Sequence, residues 1–166
     1  MKSSKTITAA QFRKRYVKKL LPSGVTKRTE QQEQAALCKW LKGKYPNVLY
    51  TVDLGGMPLT KTQRAIHQTR AKRGHPDLLF QQWYGDRFCG LAIEFKRTGV
   101  KVLNLKNQPK NEHIIEQLAY LISLQERCYF AVFVSGLENA KTVIDYYLEG
   151  RNLEMLNNII YPKIKT

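Results

Sequence analysis

One short run in the sequence carries residue types that do chemistry, Ala92-Ile93-Glu94-Phe95-Lys96-Arg97, and 17 positions before its glutamate stands Asp77, in Gly74-His75-Pro76-Asp77. In a strand, residues two apart share a face, so Glu94 and Lys96 point one way while Ile93 and Phe95 point the other. If Asp77 opens the neighbouring strand, two carboxylates converge with an ammonium beside them. Hard divalent cations such as Mg²⁺ take this kind of oxygen-rich, partly hydrated site. The competing reading is an exposed cross-face ion pair contributing roughly 0–1 kcal/mol. Gly74 and Pro76 favour the first, because they fix a sharp turn into the strand that aims Asp77 at one edge. On these residues alone both readings stay open.

Other residues could join such a site. Gln117 falls on a helix after the second strand, from which its amide can reach toward a metal-bound water or a phosphate; it could equally be an exposed helix residue. Glu30 and Glu33 lie three apart on one helical face with Leu37 and could bring another carboxylate, although acids in a first turn also complement the helix dipole. His67, His75 and His113 show no metal-ligand spacing. Tyr45, Tyr50, Trp83 and Tyr84 could stack on bases or pack in the core. The absence of a Walker loop, a Gly-x-Gly-x-x-Gly and a Gly-x-Ser-x-Gly removes nucleotide-dependent motors and serine hydrolases.

The elements that must position these residues follow from the pattern. Thr29 caps a helix carrying Leu37, Trp40 and Leu41 and ending at Gly43 to Pro46. Residues 47–53 read as a strand stopped at Gly55-Gly56. Leu59 to Arg73 is polar and basic, a surface element or loop. Residues 77–84 and 88–96 form a hairpin around Gly85-Asp86. After a loop over 99–111, helical spacing begins at Glu112, residues 128–136 form a buried strand, and Asn139 to Leu148 close the fold as a helix. The expected class is α/β (α+β), a mixed sheet with helices against it.

At 166 residues and 43% apolar content the chain suits a single core. Its 28 Lys and Arg against 13 Asp and Glu give a net charge of +15, which points to a polyanionic partner. Residues 1–46 hold 12 of the basic residues and only two of the acids. Residues 1–28 therefore read as a basic arm, helical around Ala9 to Leu20, ahead of a domain over 29–150 and a C-terminal extension over 151–166. No long apolar run or signal peptide is visible, and Cys38, Cys89 and Cys128 suggest neither a disulfide framework nor a zinc site. A soluble, cytoplasmic protein without membrane contact is expected.

Taken in order, Gly74-x-Pro76-Asp77-Leu78, Ile93-Glu94-Phe95-Lys96, the helix with Gln117 and the earlier helix beginning Thr29-Glu30 resemble the virus-type replication-repair nuclease (VRR-NUC) domain of the PD-(D/E)xK nuclease superfamily. The resemblance spans residues 29–148 and implies a single restriction-endonuclease-like domain. It implies Mg²⁺ or Mn²⁺ ligands at Asp77, Glu94 and the Phe95 carbonyl, with Lys96 orienting or helping to deprotonate the attacking water and Gln117 completing the motif. Glu30 takes the position of the first-helix acid, with Glu33 as the substitute. The implied activity is metal-dependent cleavage of branched, flapped or junction DNA, Holliday-junction-resolvase-like or flap-cleaving, in phage or bacterial replication, recombination or repair, and two-fold junctions suit a homodimer. Backbone phosphates would meet Arg64, Arg70, Lys72, Arg73, Arg97, Lys101 and Lys106. Many relatives continue from the lysine into a Gly-rich segment; here Arg97-Thr98-Gly99 leads to Lys101, Lys106 and Lys110, so the substrate-contacting loop departs from the pattern. The alternative is a basic nucleic-acid-binding protein without catalysis.

Overall fold

A computed structural model describes residues 28–53, 60–70, 73–83, 87–104, 108–153, 156 and 159–160. The elements are α1 (Glu30–Lys44), β1 (Tyr50–Val52), α2 (Lys61–Arg70), β2 (Leu78–Phe80), β3 (Gly90–Lys96), α3 (Glu112–Gln125), β4 (Tyr129–Ser135), α4 (Leu137–Leu148) and β5 (Ile159–Ile160). They follow the expected order, with one strand added from the C-terminal extension. The expected helix over Ala9 to Leu20 and the hairpin turn at Gly85-Asp86 lie outside the described residues.

The sheet is mixed, with five strands in the order β1-β2-β3-β4-β5. β1, β2 and β3 run antiparallel, β3 and β4 are parallel, and β5 returns antiparallel to β4. A parallel pair needs a crossover, which α3 supplies. β3 is central and all seven of its residues are buried, as expected for a strand covered on both faces. Its odd residues, Leu91, Ile93 and Phe95, pack with Leu37 and Leu41 of α1 and with Val143, Ile144 and Tyr147 of α4. Ala92 faces the other way, into a smaller cluster with Ile114 and Leu121 of α3 and Ala131 and Phe133 of β4. By alternation Glu94 and Lys96 share the α3 side.

All four expected strands are trimmed at their ends, and those over 47–53 and 77–84 shrink to three residues each. Residues 81–83 leave the sheet after Phe80 with exposed side chains, while the Gln82 carbonyl accepts from the Tyr147 hydroxyl at 2.6 Å, tying this segment to α4. Leu49, at 71% exposure, has nothing to pack against, and β1, expected from residue 47, starts at Tyr50. Within the polar stretch 59–73, residues 61–70 are helical; Thr60 caps the turn by accepting from the Gln63 amide at 3.3 Å. α1 starts with a capping box between Thr29 and Gln32, which sets its acidic first turn over the C-terminal end of β3. Its other end is clasped to α4, where the Lys44 ammonium and Tyr45 hydroxyl meet Asp145 at 2.7 and 2.6 Å. Among the described residues no helix is long and apolar enough to cross a membrane.

Candidate active site

The register decides where the acids meet. Leu78 is opposite Ile93, so Asp77 comes level with the C-terminal half of β3. Its Oδ2 accepts the Phe95 N–H at 2.8 Å, and its carbonyl accepts the Asp53 N–H at 2.9 Å, fixing side chain and backbone together. The segment before it is held by close packing on α3. Gly74 sits at φ +80°, and a Cβ there would lie 2.6 Å from the Glu116 carbonyl oxygen. Glycine is required twice over, by conformation and by space. Replacing Gly74 by alanine should cost about 2 kcal/mol or more in urea unfolding; a loss below about 0.5 kcal/mol would show that the segment shifts freely.

Glu94 and Lys96 form no solvated surface pair. Glu94 is 2% exposed and Lys96 8%, with Nζ 2.5 Å from Glu94 Oε1. The Gln117 amide, 5% exposed, donates to the same oxygen from α3. Gln117 Oε1 is buried with no hydrogen-bond partner, an acceptor left open. The exposed-helix alternative for Gln117 is thereby removed.

Two acids of α1 reach the same end of β3 and do different work. Glu33, 7% exposed, has both oxygens occupied by Thr98, one by its N–H at 3.0 Å and one by its hydroxyl at 2.8 Å. It holds the chain leaving β3. Glu30 accepts the Arg97 N–H at 3.0 Å and is close enough to act electrostatically on both Asp77 and Lys96. The cluster therefore contains Asp77, Glu94, Lys96, Gln117 and Glu30, with Glu33 behind it.

The electrostatics record crowding. Burial pushes the Glu94 carboxyl well above the usual range, and Asp77 pushes it further, while Lys96 opposes both. Burial also raises Asp77, with Glu30 adding to the rise and Lys96, the Phe95 N–H and Gln34 opposing it. Burial lowers the Lys96 ammonium, but Glu94, Asp77 and Glu30 together outweigh it, so the net shift is upward and the amine stays charged. Acids with raised pKa hold their protons more tightly folded than unfolded, so their contribution to stability worsens as pH rises from the ordinary carboxylate range through the raised value. In EDTA, Asp77→Asn should therefore gain stability relative to wild type as pH rises above about 4, the ordinary carboxylate value. Parallel urea midpoints above that pH would contradict it.

These donors fit a hard cation. The acids are crowded beyond what Lys96 neutralises, and the amide group that donates to Glu94 has a buried oxygen without a partner. Among the described residues no three His, Cys, Asp or Glu side chains group as a metal centre by themselves. Mg²⁺ usually takes one or two carboxylates and completes its shell with water and substrate oxygens.

The basic residues expected at the substrate are less gathered. Arg97 follows β3 and is exposed, as is Lys101. Arg73 pairs with Glu116 at 3.1 Å on the outer side of α3. Arg64 and Arg70 lie in α2, where only their backbone is described, and Lys72 and Lys106 lie outside the described residues. Sequence reasoning missed Gln34, whose side chain bonds Asp77, and Thr98. Gln34 lies one turn after Glu30, a spacing that places both on one face; nothing about a threonine after a strand marks Thr98.

The mixed sheet with helices on both faces is a VRR-NUC-like fold. A solved structure described as a VRR_NUC domain protein superposes with a TM-score of 0.54 at 21% identity, over 77% of this chain and 94% of that one. No family model and no curated protein matches the sequence.

Proposed function

We propose that the protein is a metal-dependent, structure-selective DNA endonuclease that hydrolyses phosphodiester bonds in branched, flapped or junction DNA during phage or bacterial replication, recombination or repair. The observation that carries this is the buried cluster itself: Asp77, Glu94, Lys96 and Gln117 brought together from β2, β3 and α3 with Glu30 beside them. Buried ion pairs add little net stability over apolar packing, so this arrangement is poorly explained as scaffolding.

Asp77, Glu94 and the Phe95 carbonyl would hold Mg²⁺ or Mn²⁺, which when bound polarises a scissile phosphate and lowers the pKa of a coordinated water. Lys96, kept charged by three acids, offsets phosphate charge and orients the attacking water. Gln117 fixes Glu94 through its amide nitrogen and offers its free oxygen as an acceptor to that water. Glu30 holds Lys96 in place electrostatically, and Glu33 holds the backbone after β3 through Thr98. Exposed Arg97 and Lys101 contact backbone phosphates without reading bases, so binding depends steeply on salt and little on sequence. A homodimer would present two such sites to a two-fold junction.

The test is a panel of four-way junctions, flaps, splayed arms and plain duplex with Mg²⁺ or Mn²⁺. Cleavage of at least one branched substrate, absent in EDTA, is expected. Binding without cleavage of any substrate would leave a basic DNA-binding protein.

A further inference from the structure

A second feature opens beside the cluster. The outer face of α3 and the segment leading to Asp77 enclose a groove of about 480 Å³ lined by Arg73, Glu116, Tyr120, Ser123, Leu124 and Arg127, with Ala119 in its floor. Glu116, Tyr120, Ser123 and Arg127 follow one another at four, three and four residues, a single stripe along the helix. Arg73 marks one end by its ion pair to Glu116, and Arg127 the other, about 16 Å away at 1.5 Å per residue. The near end lies one residue from Gln117, where the Gly74 backbone rests on α3.

We infer that this groove seats one unpaired DNA strand running along α3 away from the catalytic cluster. The inference rests on the nuclease reading above and names the substrate feature that reading leaves open, a single-stranded branch. A guanidinium stands at each end for phosphate: Arg73, 88% exposed and paired with Glu116, and Arg127, exposed, with one N–H on the Ser123 carbonyl and its others left for a phosphate. Between them the half-buried Tyr120 ring is braced edge-on by His75 at 5.5 Å, a fixed platform for a base. Leu124 and Ala119 supply apolar surface for sugar and base faces. The Ser123 hydroxyl donates its proton to the Ala119 carbonyl at 3.0 Å, so it has none left to donate to a base. Stacking on the Tyr120 ring needs an unpaired base, since a base inside a duplex presents no free face, and this is what favours a single strand over a duplex. Glu116 opposes the anion and holds Arg73 in the free protein.

The full chain in EDTA, titrated against fluorescein-labelled (dT)12 and against a 24-base-pair duplex, tests this by anisotropy. Tyr120→Leu, which keeps apolar volume against His75, should weaken (dT)12 binding by about five-fold or more and duplex binding by less than about two-fold. Arg127→Ala, an exposed position, should do the same and lower the salt slope for (dT)12 by about 0.7. Glu116→Gln should tighten (dT)12. Equal weakening of both ligands, no change for either variant, or weaker (dT)12 binding by Glu116→Gln would overturn the assignment. If wild type cleaves nothing yet these differences hold, the nuclease reading fails and the strand groove stands; if it cleaves and the differences are absent, the reverse is true.

Discussion

Asp77→Asn should lower Mg²⁺-dependent cleavage by roughly 10³-fold, about 4 kcal/mol of transition-state stabilisation, while DNA binding in EDTA stays within about two-fold. Asparagine keeps the size of the side chain and an oxygen that can accept the Phe95 N–H, now at 2.8 Å, so the turn into β2 has no reason to move. What it removes is the charge. Burial already disfavours that charge and Glu30 adds to the penalty, so its loss relieves the fold. A scaffolding aspartate would show the opposite pattern, with a lower melting temperature and activity falling only in proportion to the folded fraction. Single-turnover cleavage and thermal melts on the same preparations separate the two.

Glu94→Ala should cost about 3–5 kcal/mol in urea unfolding, the range for breaking a buried ion pair from one side. The substitution strands two donors at once, the Lys96 ammonium and the Gln117 amide, both of which end on Glu94 Oε1 in a region with almost no water. Because the penalty comes from the orphaned cation, adding Lys96→Met should recover more than half of the lost stability by making that site apolar. Cleavage should stay absent in the double variant, since packing is restored and chemistry is not. A single variant that loses less than about 1 kcal/mol would mean that Lys96 finds water or Asp77 at little cost, and the buried character assigned to the pair would be wrong.

Much of the fold was legible because its elements announce themselves locally. The Thr29 cap, the apolar run of β4 and the helical spacing after Glu112 all stand where the pattern puts them, as does the alternation of Ile93 and Phe95 on one face of β3 with Glu94 and Lys96 on the other. Strand ends were less legible, since Leu49 and residues 81–83 have strand-like composition and lose their place for want of partners, which is a tertiary matter. The helix over 61–70 has only Ala65 and Ile66 as apolar residues, too few for the stripe by which a helix shows in a sequence.

In the site, types and spacing pointed to Asp77, Glu94, Lys96 and Gln117, but burial was invisible. A Glu-x-Lys in a strand reads the same whether exposed or, as here, enclosed under α3. Spacing also could not separate Glu30 from Glu33. That distinction lies in the loop after β3, where Thr98 takes both oxygens of Glu33 and Glu30 is left facing Asp77 and Lys96. The tight approach of Gly74 to α3, which brings Asp77 and Gln117 to one place, depends on residues more than 40 positions apart.

The central claim is that these buried acids are gathered for a divalent cation. Mn²⁺ titration followed by water-proton relaxation, on wild type and on the Asp77→Asn/Glu94→Gln pair of substitutions, addresses it without requiring activity. Wild type is expected to bind Mn²⁺ at a site that Mg²⁺ competes for and that the double variant lacks, with both proteins folded. Equal Mn²⁺ binding by the two proteins, or none by either with DNA present, would contradict the account.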